Sequence, residues 1–151
     1  MIVRRANESD ADGYTEAAAK FHAASPMHGV IAFDKPGYKQ FFLESLASDS
    51  VGVWLCEVDE KIVRICGAIA YPLYFNPSSL VVQELWWWLD PSERGSGAGS
   101  QMFKNIEQWA KAKNANALFM IALEDDRAPK MERLYSRAGF RPMERTFIKE
   151  V

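Results

Sequence analysis

Apolar residues recur along the chain with two periods, and the switches between them mark its elements. Residues 2–6 are short and partly apolar and suit a first strand. Ala11, Tyr14, Ala17, Ala18 and Phe21 then follow at helical spacing, so a helix is expected to about His22. Asn7, Ser9 and Asp10 offer capping side chains before it, with Ser9 and Asp12 at capping-box spacing. Residues 23–33 break the period and read as a loop holding Pro26 and Gly29. Asp34, with Pro36 two residues on, predicts a second helix start. Tyr38, Phe41, Phe42, Ser45 and Leu46 mark the inner face of that helix, which ends near residues 47–50.

The period then becomes two. Residues 51–58 alternate, and Asp59, Glu60 and Lys61 form a tight connection although no Asn-Gly pair is present. Residues 62–75 read as a long strand in which Gly67 implies a bulge or a close backbone approach and Pro72 an irregularity near the end. A turn at Asn76, Pro77, Ser78 and Ser79 leads into a strand over residues 80–89. From Ser100 the pattern is helical again, with Met102, Phe103, Ile106, Trp109 and Ala110 on one face and Lys111 and Lys113 near the negative end of the macrodipole. Residues 117–123 form a short apolar run suited to a buried strand. Asp125 or Asp126 is expected to cap a last helix with Pro129 in its first turn. Met131, Leu134, Tyr135 and Ala138 would form its inner face and Gly139 would stop it, and residues 140–151 would contain a final strand. Three consecutive strands without helices imply antiparallel pairing, and the strand–helix alternation that follows implies parallel crossovers. The expected fold is therefore α/β (α+β): one domain over residues 1–151, a mixed, mostly antiparallel central sheet with helices on both faces.

Composition narrows this little but usefully. At 151 residues the chain is long enough for a real core, and its 48% apolar and 25% charged content is ordinary for a globular domain. A net charge of -2 gives no basic footprint for nucleic acid. Cys56 and Cys66 fall inside strand patterns without ligand spacing and read as buried core thiols, with no metal site implied. With no apolar run of membrane-spanning length and no signal-like segment after Met1, the expectation is a cytoplasmic protein with no membrane partner.

Candidate chemistry centres on the run from Leu85 to Ser100, where an apolar strand with three tryptophans meets a polar turn, three alternate glycines and a helix. Bare N–H groups at such a helix start form an anion site, and Arg94 adds a charge-assisted phosphate contact. A Walker loop is disfavoured because Gly99 is followed by Ser100 and Gln101 rather than by Lys-Ser/Thr. A dinucleotide fingerprint is disfavoured because its third small residue would fall at Ser100, whereas the glycine is at 99. The turn Asp90-Pro91-Ser92-Glu93 also separates strand from glycines. Trp86 and Trp88 should point to one face of the strand and Trp87 to the other, with core packing the default for all three.

Arg94-Gly95-Ser96-Gly97-Ala98-Gly99 resembles the Arg/Gln-x-x-Gly-x-Gly/Ala signature of the GNAT superfamily of N-acetyltransferases, and Leu134-Tyr135-Ser136-Arg137-Ala138-Gly139-Phe140 resembles its second signature at a helix end. The element order is similar over the whole chain, and the Glu-Leu-Trp-Trp run is similar to acetyltransferases of the bacteriophage type. The resemblance implies acetyl-CoA in a cleft where the strand at 80–89 splays from that at 117–123. Arg94, Gly95, Ser96, Gly97, Ala98, Gly99 and Ser100 would hold the pyrophosphate, and the backbone of Trp87, Trp88 and Leu89 would pair with pantetheine amides as an added strand. Tyr135 takes the place of the family's tyrosine acid, the alternative being a core tyrosine. Glu84 is the candidate base, the alternative being a surface glutamate, since a one-residue slip turns it to the other face. Ala128 stands where the family often has a cofactor-contacting Asn. The acceptor site would fall between the first two helices, with His22, Met27, His28 and Phe33 as candidates against a bland reading of solvated histidines and packed Met and Phe. The acceptor would be a small-molecule or peptide amine, its identity open. A homodimer fits the habit of such families. The alternative function is a catalytically inactive acyl-CoA or nucleotide-binding module, with a dinucleotide-dependent oxidoreductase a distant third.

Overall fold

The computed structural model describes residues 2–91 and 98–151, with only the backbone described at residues 98 and 99. In chain order the described elements are β1 (Ile2–Arg5), a 3-10 turn (Glu8–Asp10), α1 (Ala11–Ala23), α2 (Lys35–Ala47), β2 (Val51–Val58), β3 (Lys61–Leu73), β4 (Asn76–Leu89), α3 (Ala98–Ala112), β5 (Ala117–Phe119) and α4 (Ala128–Arg137). The sheet runs β1-β2-β3-β4-β5. Its first four strands pair antiparallel, and the α3 crossover makes β4 and β5 parallel.

The two sheet faces carry separate cores. Tyr14, Ala17 and Ala18 of α1 and Phe42 of α2 pack on Val53, Leu55, Ile65, Trp86 and Trp88. On the other face Met102, Ile106 and Ala110 of α3 pack on Trp54, Cys56, Cys66, Ala68 and Val82. Period-two alternation in β2 explains the division, since Val53 and Leu55 face one layer and Trp54 and Cys56 the other. Both cysteines are fully buried, as their strand positions implied.

Local chemistry sets the element ends. Asn7 is extended and its side chain accepts from Ser9 N–H, while the Asp10 carboxylate accepts from Asn7 N–H at 2.8 Å. The capping box is thus Asn7 to Asp10, not Ser9 to Asp12. The same carboxylate takes both terminal nitrogens of Arg4 at 2.7 Å, and Arg4 also reaches Glu57. Asp34 caps α2 by accepting from Gly37 N–H at 3.1 Å. The β2–β3 turn works without glycine because Asp59 and Glu60 both adopt the left-handed region, at φ 48° and 62°, as a two-residue primed hairpin turn requires.

Five expectations are corrected. The turn before β4 is at Tyr74 and Phe75, and the ladder already pairs Leu73 with Asn76, so residues 76–79 belong to the strand. β5 is three residues long rather than seven, because β4 and β5 diverge after Gln83 and Phe119. α4 begins at Ala128, and Asp125 is not its cap. Instead that carboxylate accepts from Arg127 N–H at 2.8 Å in the preceding turn. Of its predicted inner face only Tyr135 is buried. Residues 140–151 form no strand. Among the described residues they pair with no strand, Pro142 removes a donor, and Phe147 lies 89% exposed, so neither face of a strand would be buried.

Candidate active site

β4 is the element that builds the site, and one extra residue in it decides which side chains go where. Its register with β3 pairs Gly67 with Trp86 and Ala68 with Glu84, leaving Leu85 as a bulge residue. A Cβ at Gly67 would lie 2.1 Å from Trp86 Cζ2, so the missing side chain is what lets the indole lie across β3. The Trp86 Nε1–H donates to Tyr14 Oη at 2.7 Å, and the Tyr14 hydroxyl donates to the Cys66 carbonyl at 3.0 Å. The bulge reverses the alternation. Trp86 and Trp88 pack under α1 and α2, whereas Trp87 packs with Val82 on the α3 side. Glu84, two residues after Val82, falls on the α3 side too, rather than beside Trp86.

At this point the sheet opens. The β4–β5 ladder ends at Gln83 and Phe119, yet β4 stays paired to β3 as far as Leu89. Among the described residues no strand pairs with the other edge of residues 84–89. Glu84 sits at the fork. Its Oε2 accepts from Ile121 N–H at 3.0 Å, in place of the strand carbonyl that a continued ladder would provide. The Tyr135 hydroxyl donates to the Ile121 carbonyl at 3.0 Å. Glu84 and Tyr135 are therefore brought together around a single residue of the diverging chain.

Both groups are buried, and burial governs their protonation. Glu84 is 3% exposed, and desolvation pushes its carboxyl up to about 7 against the partial relief of the Ile121 N–H. Tyr135 is raised above the ordinary tyrosine range by burial and then by Glu84, so its hydroxyl stays a proton donor at neutral pH. Phe140, closing the second sequence motif, lies 5.8 Å from the Tyr135 ring and meets Phe103 of α3 edge-on at 5.6 Å, which seats α4 on the α3 side.

The remaining candidates divide. Trp88 is 3% exposed and is a core residue, with Lys20 Nζ 5.9 Å from its ring. Trp87 and Leu89 are half-buried on the open stretch of β4, and Ser100 is exposed in the first turn of α3. Arg94, Gly95, Ser96 and Gly97, and the side chains of Ala98 and Gly99, lie outside the described residues. His22, His28 and Phe33 come together, with ring centroids 5.4 and 5.5 Å from His22, and His22 Nε2 is 2.7 Å from the Ile31 carbonyl, which requires the proton on that nitrogen. Met27 is 39% exposed in the same loop.

Sequence reasoning missed Ile121, whose backbone joins Glu84 to Tyr135, because a main-chain contact leaves no residue-type signal. It also missed Leu85 as the bulge, although Gly67 opposite was a usable cue. Among the described residues no cluster of His, Cys, Asp and Glu could hold a metal, and no helix is long and apolar enough to cross a membrane. A separate open cavity of about 240 Å³, lined by Arg5, Trp54, Asn105, Gln108 and Trp109, lies at the β1–β2 and α3 side and shares no residue with the fork.

Among solved structures with the same architecture are several acetyltransferases. An apo aminoglycoside antibiotic 6'-N-acetyltransferase from Acinetobacter haemolyticus matches with TM-score 0.75 at 18% identity, covering 100% of this chain and 99% of that one. A predicted acetyltransferase with acetyl-CoA from Clostridium acetobutylicum matches with TM-score 0.77 at 17% identity over 99% and 95%. A ribosomal-protein-alanine N-acetyltransferase from Brucella melitensis biovar Abortus 2308 matches with TM-score 0.74 at 12% identity over 100% of both chains. At these identities the likeness is one of fold. No curated protein matches the chain. The model of the acetyltransferase (GNAT) family, however, matches residues 16–140, and with the forked β4–β5 pair and the two motifs inside that span, the chain belongs to the GNAT family of acetyltransferases.

Proposed function

We propose that the protein moves an acetyl group from acetyl-CoA directly to a primary amine, with the cofactor in the β4–β5 fork. The observation that carries this is the one-sided ladder of residues 84–89: a strand paired to β3 on one edge and open on the other suits an amide-bearing arm added as a strand. Trp87, Trp88 and Leu89 would contribute backbone groups there. The Arg94 to Ser100 motif, read from sequence, would supply the pyrophosphate contacts, with the start of α3 at Ala98 placing helix N–H groups at its end.

Three proton movements accompany the transfer. The ammonium gives up one proton to become the attacking amine; as its nitrogen forms a C–N bond to the acetyl carbon and the C–S bond breaks, it sheds a second to solvent, and the departing thiolate gains one. An alkylammonium holds its proton to about pH 10, hence the need for a base. Glu84, charged above about pH 7, would take that proton directly or through water. Tyr135, held neutral by burial, would give its proton to the thiolate. The acceptor would enter from the side of His22, Met27, His28 and Phe33.

Calorimetric titration with acetyl-CoA and thiol release with a panel of amines test this reading. Saturable binding with amine-dependent thiol release is expected. Absence of binding at millimolar acetyl-CoA overturns it. Binding without turnover, unchanged in Tyr135→Phe, would point instead to an inactive acyl-CoA-binding module.

A further inference from the structure

The face of α1 and α2 toward Trp86 is built from rings, and its described carboxylates already have partners. Phe33, Tyr38 and Phe41 form a continuous row, with centroids 5.4 Å apart for the first pair and 6.0 Å for the second. Tyr38 and Phe41 both meet the edge of Trp86, at 6.4 and 5.8 Å. Trp86 is two residues from Glu84, and the bulge residue between them, Leu85, is 38% exposed. Phe41 is 43% exposed. An apolar surface therefore runs from the α1–α2 loop to the mouth of the fork.

The described carboxylates of this face already have ion-pair or hydrogen-bond partners. α1 and α2 carry three carboxylates, Asp12, Glu16 and Glu44. Asp12 is paired with Lys39 at 2.6 Å, Glu16 with Lys35, and Glu44 accepts from Gln40 at 2.9 Å. Asp34 is committed to capping α2, and Asp90 lies 3.6 Å from Lys20. A substrate with several ammonium groups needs several carboxylates to replace its water, and here each would have to be taken from an existing partner.

Resting on the acetyltransferase reading, we infer that the acceptor is an amine with a single positive charge on an aromatic or aliphatic body, not a polycationic amine such as an aminoglycoside. The body lies along Phe41, Leu85 and the edge of Trp86, and the lone ammonium is favoured by the ring faces until it loses its proton at the fork. This distinguishes the chain from the aminoglycoside acetyltransferase that shares its fold.

The test measures kcat/KM by thiol release for 2-phenylethylamine, hexylamine, ethanolamine and kanamycin at saturating acetyl-CoA, with calorimetric titration of acetyl-CoA in parallel. Phenylethylamine and hexylamine are expected to exceed ethanolamine by about tenfold or more, the scale of discrimination an apolar pocket gives, and to exceed kanamycin. Phe41→Ala, at an exposed position, should cut that preference mainly through KM while leaving acetyl-CoA affinity intact. Preference for kanamycin, indifference of the ratio to Phe41→Ala, or acetyl-CoA binding with no turnover of either apolar amine would overturn the inference. Failure to bind acetyl-CoA would overturn the acetyltransferase reading beneath it, and the calorimetry tells the two failures apart.

Discussion

Glu84 and Tyr135 grip the same residue by its two backbone groups. Glu84 accepts the Ile121 N–H and Tyr135 donates to the Ile121 carbonyl, each at 3.0 Å. One side chain comes from β4 and the other from α4, so the pair bridges the point where the sheet parts. The contacts tie the outer arm of the fork to β4 and α4, and they keep a carboxyl and a phenol beside the opening.

Tyr135→Phe removes a proton donor and one hydrogen bond. Turnover should fall about a hundredfold, the usual scale for a lost general acid, while acetyl-CoA affinity changes little. Stability should drop by roughly 1 kcal/mol, because the Ile121 carbonyl loses its partner. Thiol release and thermal unfolding measure the two effects separately. An unchanged kcat would remove Tyr135 from the chemistry.

With Glu84 as the proposed base, both activity and stability should depend on pH. Its folded value of about 7 lies above the ordinary 4.5, so the folded state holds the extra proton. The stability this provides is complete below about pH 4.5 and is lost as pH rises through about 7, amounting to roughly 3 kcal/mol at most. Activity should show the opposite trend, rising toward a plateau above pH 7 as the carboxylate forms. Glu84→Gln should flatten the stability profile across pH 4.5–7 and abolish the limb near 7 together with about a hundredfold of kcat. Retention of that limb in the variant would assign it to another group.

Gly67→Ala tests the bulge. The new Cβ would meet Trp86 Cζ2 at 2.1 Å, and the indole is held by Tyr14 on its far side. Overpacking of this kind costs about 1–3 kcal/mol, so the melting temperature should fall by several degrees. Trp86 would have to rotate, so amine turnover should also drop even though residue 67 touches no substrate. A melting temperature equal to the parent's would show that the close approach is not needed.

Asp10→Asn tests the junction of β1, β2 and α1. Hydrogen bonds from Arg4 hold the Asp10 carboxyl below the usual range, so its stabilisation is full above about pH 4 and is lost as pH falls. The variant should be less stable by roughly 2 kcal/mol at neutral pH, with the difference vanishing in acid. Urea unfolding at pH 7 and pH 3 measures it.

Much of this architecture was legible in the sequence because it rests on periodicity and turn chemistry. The helices at Ala11 and Met102, the alternation of Trp86, Trp87 and Trp88, and the bulge cue at Gly67 all follow from local pattern. What escaped depends on contacts distant along the chain. β5 is short because Glu84, 37 residues earlier, occupies the Ile121 N–H. The order of elements predicts a final strand over residues 140–151, but Phe147 and Ile148 find no layer to cover. Phe41 was placed on an inner face by spacing alone, whereas α2 buries Phe42 and leaves Phe41 at the edge beside Trp86.

The central claim is that acetyl-CoA binds as an added strand along the open edge of β4. Hydrogen exchange followed by mass spectrometry, with and without saturating acetyl-CoA, tests it most directly. Slowed exchange over residues 84–89, with β1 and β2 unchanged, is the predicted result. Binding that leaves residues 84–89 exchanging at their free rate would contradict the account.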